Sequence, residues 1–264
     1  MLPSDHEAVV ERVVEHPLPY FSLLLDAPPG WAELAAGQFV MVRAGDGLEP
    51  FLRRAFSVHD ASSSPAGARI ELLIKAVGPG TRALAAARPG DRLPVLGPLG
   101  RGFSLPAEGP VALVAGGIGS APLYLLGRRL VERGVRFDLF YGGRGRADLP
   151  CLERFASLAR RSGGRLVATT EDGSAGERGL VTEPFERSLA NGEFRFFYAC
   201  GPMGLLARLA ALSATRGIAG EAALETAMGC GFGACLGCAV PRPDGRYALC
   251  CKDGPVFPFS EVAW

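Results

Sequence analysis

PVALVAGGIGSAPLYLLGRRLVERG, residues 110–134, decides how the rest of the chain is read. VALVA is a short apolar run with no polar alternation, as in a strand buried on both faces. It ends in the glycines of GGIGSAP, and the following stretch has helical periodicity up to Gly134. Strand, glycine turn and helix form the first half of a βαβ unit. Downstream the same grammar repeats: strand RFDLFYGG, helix PCLERFASLARRSG, strand RLVATT, helix TEPFERSL, strand RFFYACGP and helix MGLLARLAALSATRG. Strands alternating with helices predict a parallel sheet over residues 106–222. Upstream, the runs HEAVVERVVEH, FSLLLDAP, GQFVMVRAG, RRAFSVHD, RIELLIKAVG and DRLPVLGPLG are bounded by Gly, Pro and Asp. That spacing predicts antiparallel strands closing into a β-barrel over residues 1–105, with short helices at 31–38 and 81–88 and a hairpin loop at SSSPAG, 62–67. The boundary falls at SLPAEGP, 104–110. From about residue 223 the regular pattern yields to a cysteine-rich lobe, 223–264.

With 264 residues, 48% of them hydrophobic, the chain has enough apolar surface for more than one core. A formal net charge of +1 lacks the basic footprint of a nucleic-acid binder. The N-terminus is acidic and proline-broken, unlike a secretory signal, and Gly or Pro interrupts each long apolar run before it could cross a bilayer. These features predict a soluble cytoplasmic protein whose partners are small molecules and other proteins.

Five of the seven cysteines lie in ETAMGCGFGACLGCAVPRPDGRYALCCKDGPVF, 225–257. In a reducing compartment such clustering points to a metal or redox site before disulfides. Cys230, Cys235 and Cys238 form C-x4-C-x2-C, with Cys250 and Cys251 more than ten residues on, a spacing of the plant-type 2Fe–2S kind. Glycines 229, 231, 233 and 237 let the backbone curl and aim N–H groups at sulfur. The other reading is a structural zinc held by four cysteines, although zinc ribbons more often use two C-x2-C pairs.

Several loops carry phosphate-binding devices. GGIGSAP, 116–122, and YACGPMGLL, 198–206, each join a strand to a helix, so both belong at the carboxyl edge of the parallel sheet, where ligands bind. Either is also a plain tight turn, and Cys200 is either a pocket-lining thiol or a buried small side chain. In the barrel, RRAFSV sets Ser57 three residues after Arg54, and KAVGPGTRAL leads through Gly80 and Thr81 into a helix. Arg144 and Arg146 follow a strand of the parallel sheet, where they would grip a nucleotide 2′-phosphate or stand as solvated loop arginines. His6, His16 and His59 fit no motif and are expected at the surface or in strands. Cys151 has no assigned role.

These motifs, in this order over nearly the whole chain, resemble the ferredoxin–NADP reductase superfamily. Within it, GPLGRGF, TEDGSAGERGLVTE, MGCGFGACLGC and CKDGPVF resemble the electron-transfer subunits of class 1B dihydroorotate dehydrogenases. The resemblance implies an FAD-binding barrel, a Rossmann-like NAD domain and a C-terminal 2Fe–2S lobe. It places Arg54, Phe56 and Ser57 around FAD ribityl and phosphate groups, Lys75, Ala76 and Val77 near the isoalloxazine, and Gly80 and Thr81 at the pyrophosphate. Gly117, Gly119 and Pro122, with Cys200, Gly201 and Pro202, are placed around the pyridine nucleotide. Such subunits end in one cysteine before K-D-G-P-V-F, whereas this chain has two. Adjacent side chains of an extended segment point apart, and only Cys251 directly precedes the matching ending, so Cys251 is expected to complete the ligand set with Cys230, Cys235 and Cys238.

The implied cofactors suit one another: a nicotinamide moves two electrons as hydride, an iron–sulfur cluster accepts one, and a flavin converts between them. The implied partner is an FMN-containing catalytic subunit that oxidises dihydroorotate, in a heterotetramer serving pyrimidine biosynthesis; the apolar GPVFPF, 254–259, is expected to supply contact area there, the other reading being that Phe257 and Phe259 cap the lobe's own core. The alternatives are the small subunit of a sulfide dehydrogenase or ferredoxin–NADP transhydrogenase and, in another class, a zinc-stabilised nucleotide-binding module. NADP in place of NAD stays open, and no residue reads as a substrate acid or base.

Overall fold

The structure, a computed structural model, describes residues 3–45, 49–65, 67–106 and 109–264. Ala66 of the expected hairpin loop, and Ala107 and Glu108 of the expected linker, lie outside the described residues. The N-terminal layer contains β1 (Ser4–Glu15), β2 (Tyr20–Ala27), β3 (Phe39–Val42), β4 (Arg54–Ser57), β5 (Asp60–Ser64), β6 (Gly67–Lys75), the short helix α1 (Pro79–Ala85) and β7 (Arg92–Leu99). Its seven strands pair antiparallel in the order β4-β3-β7-β1-β2-β6-β5. The sheet curls into a half-barrel: β4 approaches β6 across the mouth, but the two do not pair. Its interior is filled by Val10, Leu23, Leu25, Val40, Ile70 and Leu72, none of which reaches solvent. The segment expected to be helical at 31–38 is a single 3-10 turn, Pro29–Glu33, that buries Trp31. Helix α1 starts two residues earlier than expected because Pro79 fits the first turn, where its missing N–H costs nothing.

The second layer contains β8 (Val111–Gly116), α2 (Ala121–Glu132), β9 (Phe137–Gly143), α3 (Leu152–Arg161), β10 (Leu166–Thr170), β11 (Glu177–Arg178), α4 (Thr182–Ala190), β12 (Phe196–Cys200), α5 (Met203–Arg216) and β13 (Ala219–Ala223). Its strand order, β11-β10-β9-β8-β12-β13, is parallel throughout and reverses direction between β8 and β12. The α2 and α3 side chains Leu126, Leu130, Phe155 and Leu158 bury one face of this sheet. On the other face Phe185, Leu189, Leu206 and Leu209 of α4 and α5 do the same. Double coverage explains why VALVA is apolar at every position.

The cysteine lobe adds β14 (Ala239–Pro241), β15 (Tyr247–Leu249), the turn α6 (Cys250–Asp253) and β16 (Val256–Pro258). Strand β16 returns to the parallel sheet and pairs antiparallel with β13, while Pro255 bridges to Arg101 of the N-terminal layer. Phe257 and Phe259 are 2% and 4% exposed, and Phe259 lies 5.0 Å from the Phe197 ring. GPVFPF is therefore core of this chain and not the expected contact surface. The large exposed apolar side chains of the lobe are Phe232, Leu236, Tyr247 and Trp264.

Candidate functional site: two cavities and a cysteine lobe

The loops after β8 and β12 flank the reversal point of the parallel sheet, where the strand order opens a crevice. The chain leaves β8 through a 3-10 turn, Gly117–Ser120, into α2, and Gly117 takes φ +56° with open space beside it. Gly119 is required by contact: a Cβ there would stand 2.4 Å from the Cys200 carbonyl oxygen, so only glycine lets the two loops touch. The crevice is a cavity of about 600 Å³ whose wall includes Gly117, Gly119, Gly201, Pro202, Arg144 and Arg208. Backbone N–H groups at helix starts and two guanidinium groups suit a pyrophosphate. Pro122 shapes the start of α2 and is buried. Cys200 is buried behind the loop and lines neither cavity. Of the two candidate arginines, Arg144 lines the cavity, whereas Arg146 turns back to donate to the Leu149 carbonyl at 3.2 Å.

A second cavity, about 410 Å³, opens against the half-barrel and is lined by Phe56, Ser57, Lys75, Val77 and Thr81. Arg54 and Gly80 do not line it but bring its two motifs together. A Cβ on Gly80 would collide with Arg54 Nε at 2.4 Å, so the guanidinium lies directly over the glycine turn. The Thr81 hydroxyl accepts from the Val77 and Gly78 N–H groups, both at 2.9 Å, and donates to the Gly78 carbonyl at 3.1 Å, which fixes the loop that precedes α1. Ala76 packs beneath, against the core.

The two cavities share Lys75, Ile118 and Glu225. Glu225 was read in the sequence only as the start of the cysteine segment. Glu225 reaches solvent through the open cavity, and desolvation by the surrounding walls pushes its carboxyl above the usual value. Leu224, Thr226, Met228 and Pro255 also line the second cavity, so the cysteine lobe closes it from behind. No sequence signal distinguished Glu225, Tyr20 or Asp148, which come together only through the tertiary fold.

The lobe's thiols stand in two pairs. Cys238 Sγ and Cys251 Sγ are 3.2 Å apart, and the Cys251 N–H points at Cys238 Sγ at 3.4 Å. Cys230 Sγ accepts the Cys235 N–H at 3.4 Å. Its slight burial raises the Cys230 pKa, but N–H groups of Cys235, Phe232 and Ala234 and the Cys235 thiol outweigh that and bring it down to about 6. Burial beside Cys238 pushes Cys251 up to about 12. Among the described residues no three metal-ligating side chains close around one point. A zinc would draw four thiols to one centre, whereas a two-iron cluster takes two at each iron, so paired thiols fit the latter. Cys250 and Cys251 lie on the helical turn α6, not on an extended segment, yet they still diverge: Cys250 Sγ points to the Leu224 carbonyl at 3.6 Å.

Residues 7–103 match an oxidoreductase FAD-binding domain, residues 113–210 an oxidoreductase NAD-binding domain, and residues 225–263 the iron–sulfur cluster binding domain of dihydroorotate dehydrogenase B. The chain is 40% identical over 241 residues to the dihydroorotate dehydrogenase B (NAD(+)) electron transfer subunit of Desulforamulus reducens, covering 89% of this chain and 90% of that protein. The chain belongs to the dihydroorotate dehydrogenase B electron-transfer subunit family. A second member of that family, from Geobacillus kaustophilus, is 40% identical over 232 residues, 86% of each chain. The solved structure of an NADH-dependent reduced ferredoxin–NADP oxidoreductase, studied for flavin-based electron bifurcation, superposes with a TM-score of 0.86 at 28% identity. It covers 98% of this chain and 90% of its own. A cytochrome P450 reductase from Amycolatopsis, at 27% identity and a TM-score of 0.68, covers 81% of this chain and 66% of its own. As a family member the chain is an oxidoreductase subunit with FAD-, NAD- and iron–sulfur-binding domains. Among the described residues no helix is long and apolar enough to cross a membrane.

Proposed function

We propose that this chain relays electrons from an FMN-containing, dihydroorotate-oxidising catalytic subunit to NAD+, within a cytoplasmic heterotetramer of pyrimidine biosynthesis. The observation that carries the reading is the common wall of Lys75, Ile118 and Glu225 between the two cavities, with the cysteine lobe closing the flavin side. Bound there, FAD supplies the exchange between paired electrons at the nicotinamide and single electrons at the cluster. The chain's own residues divide the remaining work. Arg54, Phe56, Ser57 and the Val77–Thr81 loop hold the flavin. The Gly117 and Gly201 loops and Arg144 orient the nucleotide, while Glu225 stands at the seam between the two sites. Cys230 with Cys235 and Cys238 with Cys251 would supply the thiolates that hold the cluster. Phe232 and Leu236, exposed beside Cys235, form the face that meets the catalytic subunit.

The purified chain, loaded with its cofactors, is expected to oxidise NADH with an artificial acceptor and to leave dihydroorotate untouched until the catalytic subunit is added. Robust dihydroorotate turnover by the chain alone would sink this division of labour. A second reading, transfer between NADH and ferredoxin, is favoured by the 0.86 superposition. It predicts ferredoxin reduction at a rate matching that with the catalytic subunit.

A further inference from the structure

A cross-strand pair of the half-barrel and one carboxylate of the nucleotide layer meet at the shared wall. Tyr20, at the start of β2, is in register with Lys75, at the end of β6, and the ammonium lies 5.1 Å from the Tyr20 ring centroid. From the other layer Asp148, on the loop after β9, reaches across the crevice. A single oxygen, Asp148 Oδ1, accepts from the Tyr20 hydroxyl at 2.6 Å and from Lys75 Nζ at 3.2 Å. All three side chains line the nucleotide cavity, and Lys75 also lines the flavin cavity. Tyr20 is 2% exposed, so its ring is a fixed floor under the ammonium. Burial alone would raise the Asp148 carboxyl, but hydrogen bonds from Tyr20 and Lys75 and the nearby Lys75 ammonium hold it below the usual carboxylate range.

We infer that Asp148 is a positioning residue that clamps Lys75 at the flavin–nucleotide seam, and that pairing Lys75 with Asp148 keeps either charge alone from shifting the reduction potential of the bound FAD. Two-electron reduction with uptake of one proton, driven by NADH or by dithionite in a titration, leaves the flavin ring with one more negative charge. Beside that ring an intact pair acts as a dipole whose two fields largely cancel. Removal of one member leaves the other unbalanced, and a unit charge in a partly buried setting acts over many ångströms. The Tyr20 hydroxyl contributes geometry and no charge. Because Asp148 comes from the nucleotide layer and Lys75 from the half-barrel, the clamp ties flavin electrostatics to the seating of one layer on the other.

The test uses the full chain loaded with FAD, equilibrated with a reference dye at neutral pH and read from the visible spectrum. Asp148→Asn keeps an acceptor oxygen but removes the charge. It is expected to shift the equilibrium about tenfold toward reduced flavin, roughly 30 mV for a two-electron couple. Lys75→Met is expected to shift it about tenfold toward oxidised flavin, with Lys75→Gln used in its place if the methionine variant releases FAD. Tyr20→Phe should stay within about twofold of the parent. Shifts of the same sign in the Asp148 and Lys75 variants, or no shift in either, overturn the inference. So does a Tyr20→Phe shift as large as that of Asp148→Asn. A parent chain that takes up no FAD would overturn the flavin site itself along with this inference. Intact FAD binding with potentials that fail to part would overturn this inference alone.

Discussion

At the scale of single residues, the adjacent thiols Cys250 and Cys251 have separate surroundings. Cys251 stands 3.2 Å from Cys238, whereas Cys250 is fully buried against the Leu224 carbonyl behind the second cavity. Consecutive residues on a helical turn diverge by about 100°, enough to send one thiol to the cluster and the other into the core. Cys250→Ser is therefore expected to keep the visible iron–sulfur spectrum at a modest cost in stability. Cys251→Ser should lose or severely alter it while FAD absorption persists. The reverse pattern in the two spectra would exchange their roles.

At the scale of elements, two glycines work through what they allow to approach. Gly119 lets the β8–α2 loop touch the end of β12, and Gly80 lets Arg54 lie over the start of α1. The Gly119 neighbour is backbone, which cannot move aside cheaply; the Gly80 neighbour is a flexible guanidinium. Gly119→Ala is accordingly expected to destabilise the nucleotide layer by about 2 kcal/mol and to weaken NADH binding. Gly80→Ala should leave the fold nearly as stable but weaken FAD retention by displacing Arg54. Thermal melting together with NADH and FAD titrations separates the two. Equal losses of stability would contradict the distinction between backbone and side-chain neighbours.

At the scale of the molecule, the seam between the layers is polar and tightly paired. Arg154 of α3 donates to both oxygens of Glu71 on β6, at 2.7 and 2.9 Å, and lies 4.5 Å from the Tyr124 ring centroid. His59, expected at the surface or in a strand, is completely buried there, stacked on Tyr124 at 4.7 Å with Nδ1 2.9 Å from the Ala121 carbonyl oxygen. Burial pushes the Glu71 carboxyl up, but the Arg154 hydrogen bonds and the Arg154 charge outweigh it, so its pKa lies below the ordinary value. A carboxylate depressed in the folded state stabilises fully above its unfolded pKa, and the contribution fades as pH falls toward the folded value. Arg154→Met is expected to cost about 2 kcal/mol at pH 7, a fall of roughly 4–8 °C in melting temperature. The gap between variant and parent should narrow below about pH 4.5, where carboxylates protonate. A gap that does not change between pH 7 and pH 4 would show that Arg154 acts through packing on Tyr124 and not through Glu71.

Much of this was legible in the chain because it is local. Period-two and helical patterns marked most strands and all the helices of the parallel layer, glycines at strand ends marked the ligand loops, and the C-x4-C-x2-C spacing marked the cluster lobe. Each signal lies within a few residues of the structure it describes, where backbone sterics and side-chain periodicity act directly. What tertiary structure alone decided involves contacts between distant residues. The serine-rich β5 pairs because β6 folds back on it, and β16 abandons the cysteine lobe to pair with β13. Tyr20 meets Asp148 across 128 residues of chain, and Glu225 comes to line both cavities only once distant parts of the chain meet around them. Such residues carry no periodic or spacing signal of their own. Their roles follow from the low-dielectric, crowded places to which the packed layers bring them.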